Sequence, residues 1–525
     1  MQDILEVVHR LRECHREHEF CPHGKTHPLP TMVLDLNPQH PKLHISAPNE
    51  QGMYAALSYC WGGSQVTTTK DTLQAHITGI ALQTLSQTIQ DAIYITRKLC
   101  IRYLWVDALC IVQDDEISIS KEIDRMGRIY SNATLTISAA SATCAAEGFL
   151  RTPATPRGCE LPFLLPDSGF GKVLVVPSRE NKGVAFKKMK GIDTYPIGYR
   201  DWTNQEMNAF LLEGIGKTSG VRPAELSRPW PLDTRAWALQ EHMLSPRLLV
   251  FGPDDIRWRC QEIELEPLFP SPIRYRGPAQ GLPLLRAPAL DHGSKYWTKE
   301  RITIGGFDMT KQRDLWCNIM VDFSNRSITF RRDRLSALAG IASHLKELWG
   351  GQYVAGYWVE CLPAQLAWVQ QLRNQGNTQL RDDVEEYLAP SWSWITAKQP
   401  IKFENLSHVT ARVISAVAEP LLPEARYGRL KSGTLTLSAA VLRKDPMARP
   451  HWDEKMDDGV RMNDGIILMK LGLRQVSKRK AIIGLVLRPA DRERYRRAGV
   501  FYTENVKIWQ SGGTEIAPRI TVTII

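Results

Sequence analysis

The chain has 525 residues and a net charge of +10, with 43% hydrophobic and 23% charged residues. That length suits two or three domains with substantial cores, and that balance excludes wholesale disorder. Ten scattered cysteines do not make a disulfide framework in so long a chain, and basic runs such as Lys478–Lys480 and Arg492–Arg497 read as solvated faces, so no nucleic-acid partner is expected.

The N-terminal MQDILEVVHRLRECHREH is too charged for a secretory signal, and no apolar run nears the roughly 18 residues that span a bilayer. The expectation is a soluble, cytoplasmic protein with no membrane partner. Residues 1–30 form a Cys/His-containing helical segment. A helix through Cys14 sets His18 one turn on, so Cys14, His18, Cys21 and His23 offer four ligands, although their spacing matches no standard zinc module and zinc is not expected.

From about residue 30 the pattern becomes strand, helix, strand, helix, strand. YAALSYCWGGS alternates as a strand through Ser58 and turns at Gly62-Gly63 after Trp61, bringing backbone amides close to any ligand there. Leu85 to Leu99 is an amphipathic helix. Next come a strand at Leu104–Leu109, a polar turn at Gln113–Glu116, a helix over about Ile119–Tyr130 and a strand at Thr134–Ala139. This order predicts an α/β fold with a parallel, doubly wound sheet and right-handed crossovers. Its carboxyl edge would carry Asp107, Cys110, Gln113, Asp114 and Asp115, where ligands collect in such sheets.

On a wheel of about 100° per residue, Glu122 falls inside the apolar stripe of Ile123, Met126, Ile129 and Tyr130. A carboxylate turned toward a core needs a partner or a cavity, so Glu122 is the catalytic candidate, with a structural ion pair as the alternative. Cys110, between Leu109 and Ile111, reads as a packed thiol.

Residues 151–231 lose periodicity and read as an insertion. A helix then runs from Arg235 to Ser245, and it too turns Gln240 inward, with Glu241 at the edge of its apolar arc. Two short strands, Leu248–Phe251 and Ile256–Arg259, form a hairpin. The helix Arg334–Leu348, the aromatic stretches AGYW and PSWSW and a β-rich tail from about Val409 complete an α+β region over 261–525. The fifteen tryptophans suit cleft walls as well as cores.

YAALSYCWGG, LWVDALCIVQDD with EIDRMGRIYSNA, and TRAWALQEHMLSPRLLVFG with IRWRC resemble, in order, the three signature blocks of the fungal heterokaryon incompatibility (HET) domain. The resemblance covers residues 30–260 as the domain proper, and RSITFRRDRLSALAGIA, AGYW and PSWSW extend it more loosely. It implies a role in non-self recognition and programmed cell death, through self-association or a protein partner. HET domains resemble TIR domains distantly, which implies a flavodoxin-like sheet. Some TIR domains hydrolyse NAD with a glutamate, which implies an enzyme as the alternative: a TIR-like NAD glycohydrolase, or a tailoring enzyme of small-molecule biosynthesis. NAD would then be a substrate, and no resident cofactor is expected. Glu122 occupies the place of an acidic residue frequent in the second block. The shared site would gather Ser58, Trp61, Gly62, Asp107, Cys110, Gln113, Asp114, Arg235, Trp237, Gln240 and Glu241 around a small-molecule ligand. Ala236 stands where a glycine is usual, and the tryptophan often found between the Gln-Asp-Asp turn and its helix is missing.

Overall fold

The computed structural model describes residues 2–150, 159–164, 170–175, 230–268, 309–371, 387–452 and 465–525, less a few single positions. An eight-stranded mixed sheet forms the first half. Its strands are β1 (Met32–Asp35), β2 (Lys42–Ile45), β3 (Tyr54–Ser58), β4 (Tyr103–Trp105), β5 (Leu135–Ser138), β6 (Arg247–Phe251), β7 (Ile256–Cys260) and β8 (Glu266–Pro267).

Across the sheet the order is β8-β7-β6-β5-β3-β4-β1-β2. The four central strands, β6-β5-β3-β4, are mutually parallel, while β1-β2 on one side and β7-β8 on the other are antiparallel. The expectation of a wholly parallel sheet is therefore corrected: short hairpins pair at both margins. Every residue of β3 and β5 is buried, as central strands covered on both faces require.

The helices connecting these strands are α2 (Leu73–Thr78), α3 (Gln87–Lys98), α4 (Asp107–Cys110), α5 (Glu116–Asn132) and α6 (Ala236–Leu244); α1 (Gln2–Arg16) precedes the sheet. The strand expected at Leu104–Leu109 stops at Trp105, and Asp107–Cys110 is a helical turn, with the Cys110 amide bonded to the Val106 carbonyl. The apolar run LWVDALC carries no period that separates the two states. The hairpin at Leu248 and Ile256 forms as expected. The 151–231 insertion lies outside the described residues, apart from the backbone of an antiparallel pair, Cys159–Leu164 with Phe170–Val175.

Helices α5 and α6 pack on each other and on α8 (Ser336–Trp349), which follows α7 (Met309–Ser324). Where α5 crosses α8, Gly127 meets Gly340, and a Cβ built on Gly127 would come within 2.5 Å of the Gly340 Cα. Only glycine permits that approach.

The C-terminal sheet follows the path of a barrel. Leu430–Leu442, Ile467–Val476, Arg479–Pro489, Arg494–Thr503 and Arg519–Ile524 pair in a ring, because Ile467–Val476 bonds both Arg479–Pro489 and Leu430–Leu442. Closure removes exposed edges. The Arg492–Arg497 run is not wholly a solvated face: Arg497 is buried, lies 3.6 Å from the Trp368 ring centroid and donates to the Trp368 carbonyl at 2.6 Å. Trp105, Trp258, Trp316, Trp368, Trp392, Trp394 and Trp509 are fully buried core residues.

Candidate functional site

Strand β3 presents Tyr54, Ala56 and Ser58 to the α5–α6 layer, following the two-residue period of a strand. Tyr54 Oη donates to the Ile129 carbonyl on α5, and Tyr130 Oη donates back to the Leu57 carbonyl at 3.1 Å. Ser58 donates to the Glu241 carboxylate on α6. Past Ser58 the chain runs through Tyr59, Cys60 and Trp61 into Gly62, where φ is +70° and a Cβ would fall 2.1 Å from that of Cys144. A left-handed turn so closely covered accepts glycine alone.

That turn carries Trp61 over the edge of β4, where its Nε1 donates to Asp107 Oδ2 at 2.7 Å. Asp107 Oδ1 accepts from the Ala108 amide at 2.7 Å, and Gln113 Nε2 ties the turn by donating to the Asp107 and Ile111 carbonyls. Arg235, the residue before α6, donates to the Tyr59 carbonyl, and its charge acts on Asp107 and Glu241 alike. Its backbone is fixed from downstream, the Ala236 amide bonding to the Ser327 carbonyl and Arg326 Nη1 to the Arg235 carbonyl at 3.3 Å.

The Arg235 charge thus acts on both carboxylic acids at the carboxyl edge of β3 and β4, with Arg326 also acting on Glu241. Burial pushes the Glu241 acid up to about 7, against the lowering effect of Ser58 and Arg235 and with a further push from Asp107. Asp107 is raised by burial too, with Trp61 and Arg235 opposing. Burial and the Asp107 charge hold the Tyr59 phenol well above its usual range. Near neutrality Glu241 is divided between acid and carboxylate, the state that suits proton transfer. Asp107, Trp61 and Arg235 retain partial exposure, whereas Ser58 and Glu241 are closed off.

Of the residues expected here, Ser58, Trp61, Gly62, Asp107, Arg235 and Glu241 converge. Glu122 lies apart from them. It is buried on α5, accepts from Thr31 Oγ1 at 2.6 Å and pairs with Arg125 at 3.3 Å, so Arg125 is its cation. Its Oε2 is buried without a partner among the described residues. Cys110 is a packed thiol that burial pushes up to about 12. Asp114 accepts from the Lys70 amide, Trp237 packs half-buried on the core, and Gln240 Oε1 accepts from the Gly340 amide at 3.3 Å in the helix crossing.

Sequence reasoning passed over Tyr59, Tyr130, Ser138 and His242. His242 Nε2 meets Ser138 Oγ at 3.1 Å, and burial pushes the imidazole down to about 3, leaving it neutral. Its place next to Glu241 on a helix buried almost all round was the available signal. A cavity of about 430 Å³ elsewhere, lined in part by Trp368, Tyr387, Arg488, Arg494, Arg496 and Arg497, shares no residue with this site.

The N-terminal ligand set is also changed. Cys14, His18 and Cys21 lie together, but their fourth neighbour is Cys260, at the end of β7; the His23 ring nitrogen Nδ1 is 3.0 Å from the His15 carbonyl instead.

Fold and site define an α/β domain with two buried-side acids and the Arg235 guanidinium near the strand edge between β3 and α6. Residues 54–206 match the family model described as heterokaryon incompatibility protein (HET). That stretch is what the chain shares with the HET family. Comparison with curated proteins found no match, and comparison with solved structures found none. The matched span holds the first two signature blocks; the third, with Arg235 and Glu241, lies beyond it and still folds into the same sheet. No helix among the described residues is long and apolar enough to cross a membrane.

Proposed function

We propose that this chain is a cytoplasmic effector of fungal non-self recognition, triggering growth arrest or cell death through self-association or a protein partner. The HET match over residues 54–206 carries the reading. The interlocked site supports it: Trp61, Asp107, Arg235 and Glu241 join the three blocks, so a ligand or partner acting on one shifts them all. Inducible expression in a filamentous fungal host tests it. Growth should stop on induction, and Arg235→Ala should restore it; healthy growth with soluble full-length protein present overturns the reading.

A TIR-like activity on NAD is the second reading. In chain order the parallel strands β3, β4, β5 and β6 stand 2-1-3-4, which supports a flavodoxin-like arrangement with its switch point between β3 and β5. In this reading Glu241 is the acid–base group, Arg235 contacts phosphate and Trp61 stacks on a flat ring. Purified protein with NAD should release nicotinamide, and Glu241→Gln should abolish release. Turnover equal in wild type and E241Q rejects it.

A further inference from the structure

Four metal-binding side chains from distant parts of the chain converge beside the sheet. The donor atoms of Cys14, His18, Cys21 and Cys260 all lie within 4.8 Å of one another. His18 Nδ1 is 3.5 Å from Cys21 Sγ and 3.3 Å from Cys260 Sγ. Zinc bonds of about 2.3 Å to sulfur and 2.0 Å to nitrogen give a tetrahedron with sulfur–nitrogen edges of about 3.5 Å. The two sulfur–nitrogen edges to His18 already have that length. All four side chains are almost wholly enclosed, at 0%, 9%, 3% and 1% exposure in the order given.

Two of the sulfurs accept hydrogen bonds from donors outside the cluster. Arg247 Nε–H donates to Cys14 Sγ at 3.0 Å, and the Ile263 amide donates to Cys260 Sγ at 3.3 Å. A divalent ion with three thiolates and a neutral imidazole carries one net negative charge, which the Arg247 guanidinium offsets. Arg247 is itself buried and also donates to the Pro22 and Thr134 carbonyls, joining the N-terminal segment to the sheet.

We propose that Cys14, His18, Cys21 and Cys260 bind one zinc ion, tying the N-terminal segment to the end of β7. Four protein ligands and near-complete enclosure leave no open coordination position, so the ion is structural. Binding displaces the three thiol protons to solvent, and the ion then cross-links the N-terminal segment to β7.

The test uses the full chain produced in zinc-supplemented medium. About one zinc per chain is expected by elemental analysis. Cobalt(II) exchange should give thiolate-to-metal charge-transfer bands and the intense visible bands of a tetrahedral centre. Cys260→Ser should lose the ion and the spectrum, and His23→Ala should keep both. Should Cys260→Ser fail to fold, Cys260→His preserves four donors; it should keep the ion with charge-transfer intensity reduced from that of three thiolates to that of two. Folded wild-type protein that holds no zinc and takes up no cobalt overturns the proposal. So does loss of the ion in His23→Ala with retention in Cys260→Ser.

Discussion

Helices α5 and α6 each turn a carboxylate toward the core, and the two acids meet different fates. Glu122 on α5 is reached by the long, half-exposed Arg125 one turn away and by the Thr31 hydroxyl. Glu241 on α6 sits behind Ser58 and answers to Arg235, a cation it shares with Asp107. One carboxylate is pinned at the margin of the sheet, while the other is kept near its midpoint of ionisation at the strand edge. An inward acid on a helical wheel signals a constraint, and its neighbours across the sheet decide whether the constraint is structural or chemical.

Removing the shared cation should break the contrast most severely. Arg235→Ala removes a charge that lowers both acids, together with the bond to the Tyr59 carbonyl, and should cost about 1–3 kcal/mol. Chemical denaturation measures this, and a midpoint within error of wild type refutes the shared-cation arrangement.

The next effect depends on pH. Glu241 is raised from its ordinary 4.5 to about 7, so its contribution is fully present below about 4.5 and is lost as pH rises through 7. A shift of that size corresponds to about 3 kcal/mol at most. His242, lowered from 6.5 to about 3, works in the opposite sense, withdrawing stability as pH falls below 6.5. The difference in Tm between wild type and E241Q therefore isolates the acid. E241Q should gain on wild type as pH rises from 4.5 to 7, and a flat difference curve would contradict the assignment.

A third substitution asks what seats α5 if its acid does not. Gly127→Ala forces a methyl against the Gly340 backbone and should cost roughly 1–3 kcal/mol by overpacking, read from thermal melts. The smallest effect belongs to Arg125, the half-exposed partner of the buried Glu122: with the Thr31 hydroxyl still donating to that carboxylate, Arg125→Ala should change stability by about 1 kcal/mol. Glu122→Gln should leave growth arrest, or NAD turnover, as in wild type. If Glu122→Gln abolishes either one while E241Q does not, the roles of the two acids are reversed.

What the sequence made legible was local. Helical periodicity located α3, α5 and α6 within a few residues, and the alternation in YAALS located β3. The turn at Asp107–Cys110 was hidden because four apolar-rich residues fit a strand end or a helix start equally well. The partnership of Glu122 with Arg125 stands three residues along one helix and was readable in principle. Glu241 appeared only at the edge of its arc, and the depth of its burial comes from Ser58 and the α5 layer. Cys260 was missed as a neighbour of Cys14 because the two stand 246 positions apart in sequence, and no local pattern encodes their meeting.

The Arg247 clasp also bears on the order of events during synthesis. Helix α1 is made before the sheet, with Val7, Leu11 and Cys14 buried, but Arg247 and Cys260, which meet Cys14 and His18, lie about 240 residues downstream. At roughly 5–20 residues per second, α1 waits on the order of tens of seconds for its seat. Until β6 and β7 emerge, the nascent chain exposes an apolar helix face and two thiols, and the domain closes only when its last strands arrive to hold its first helix.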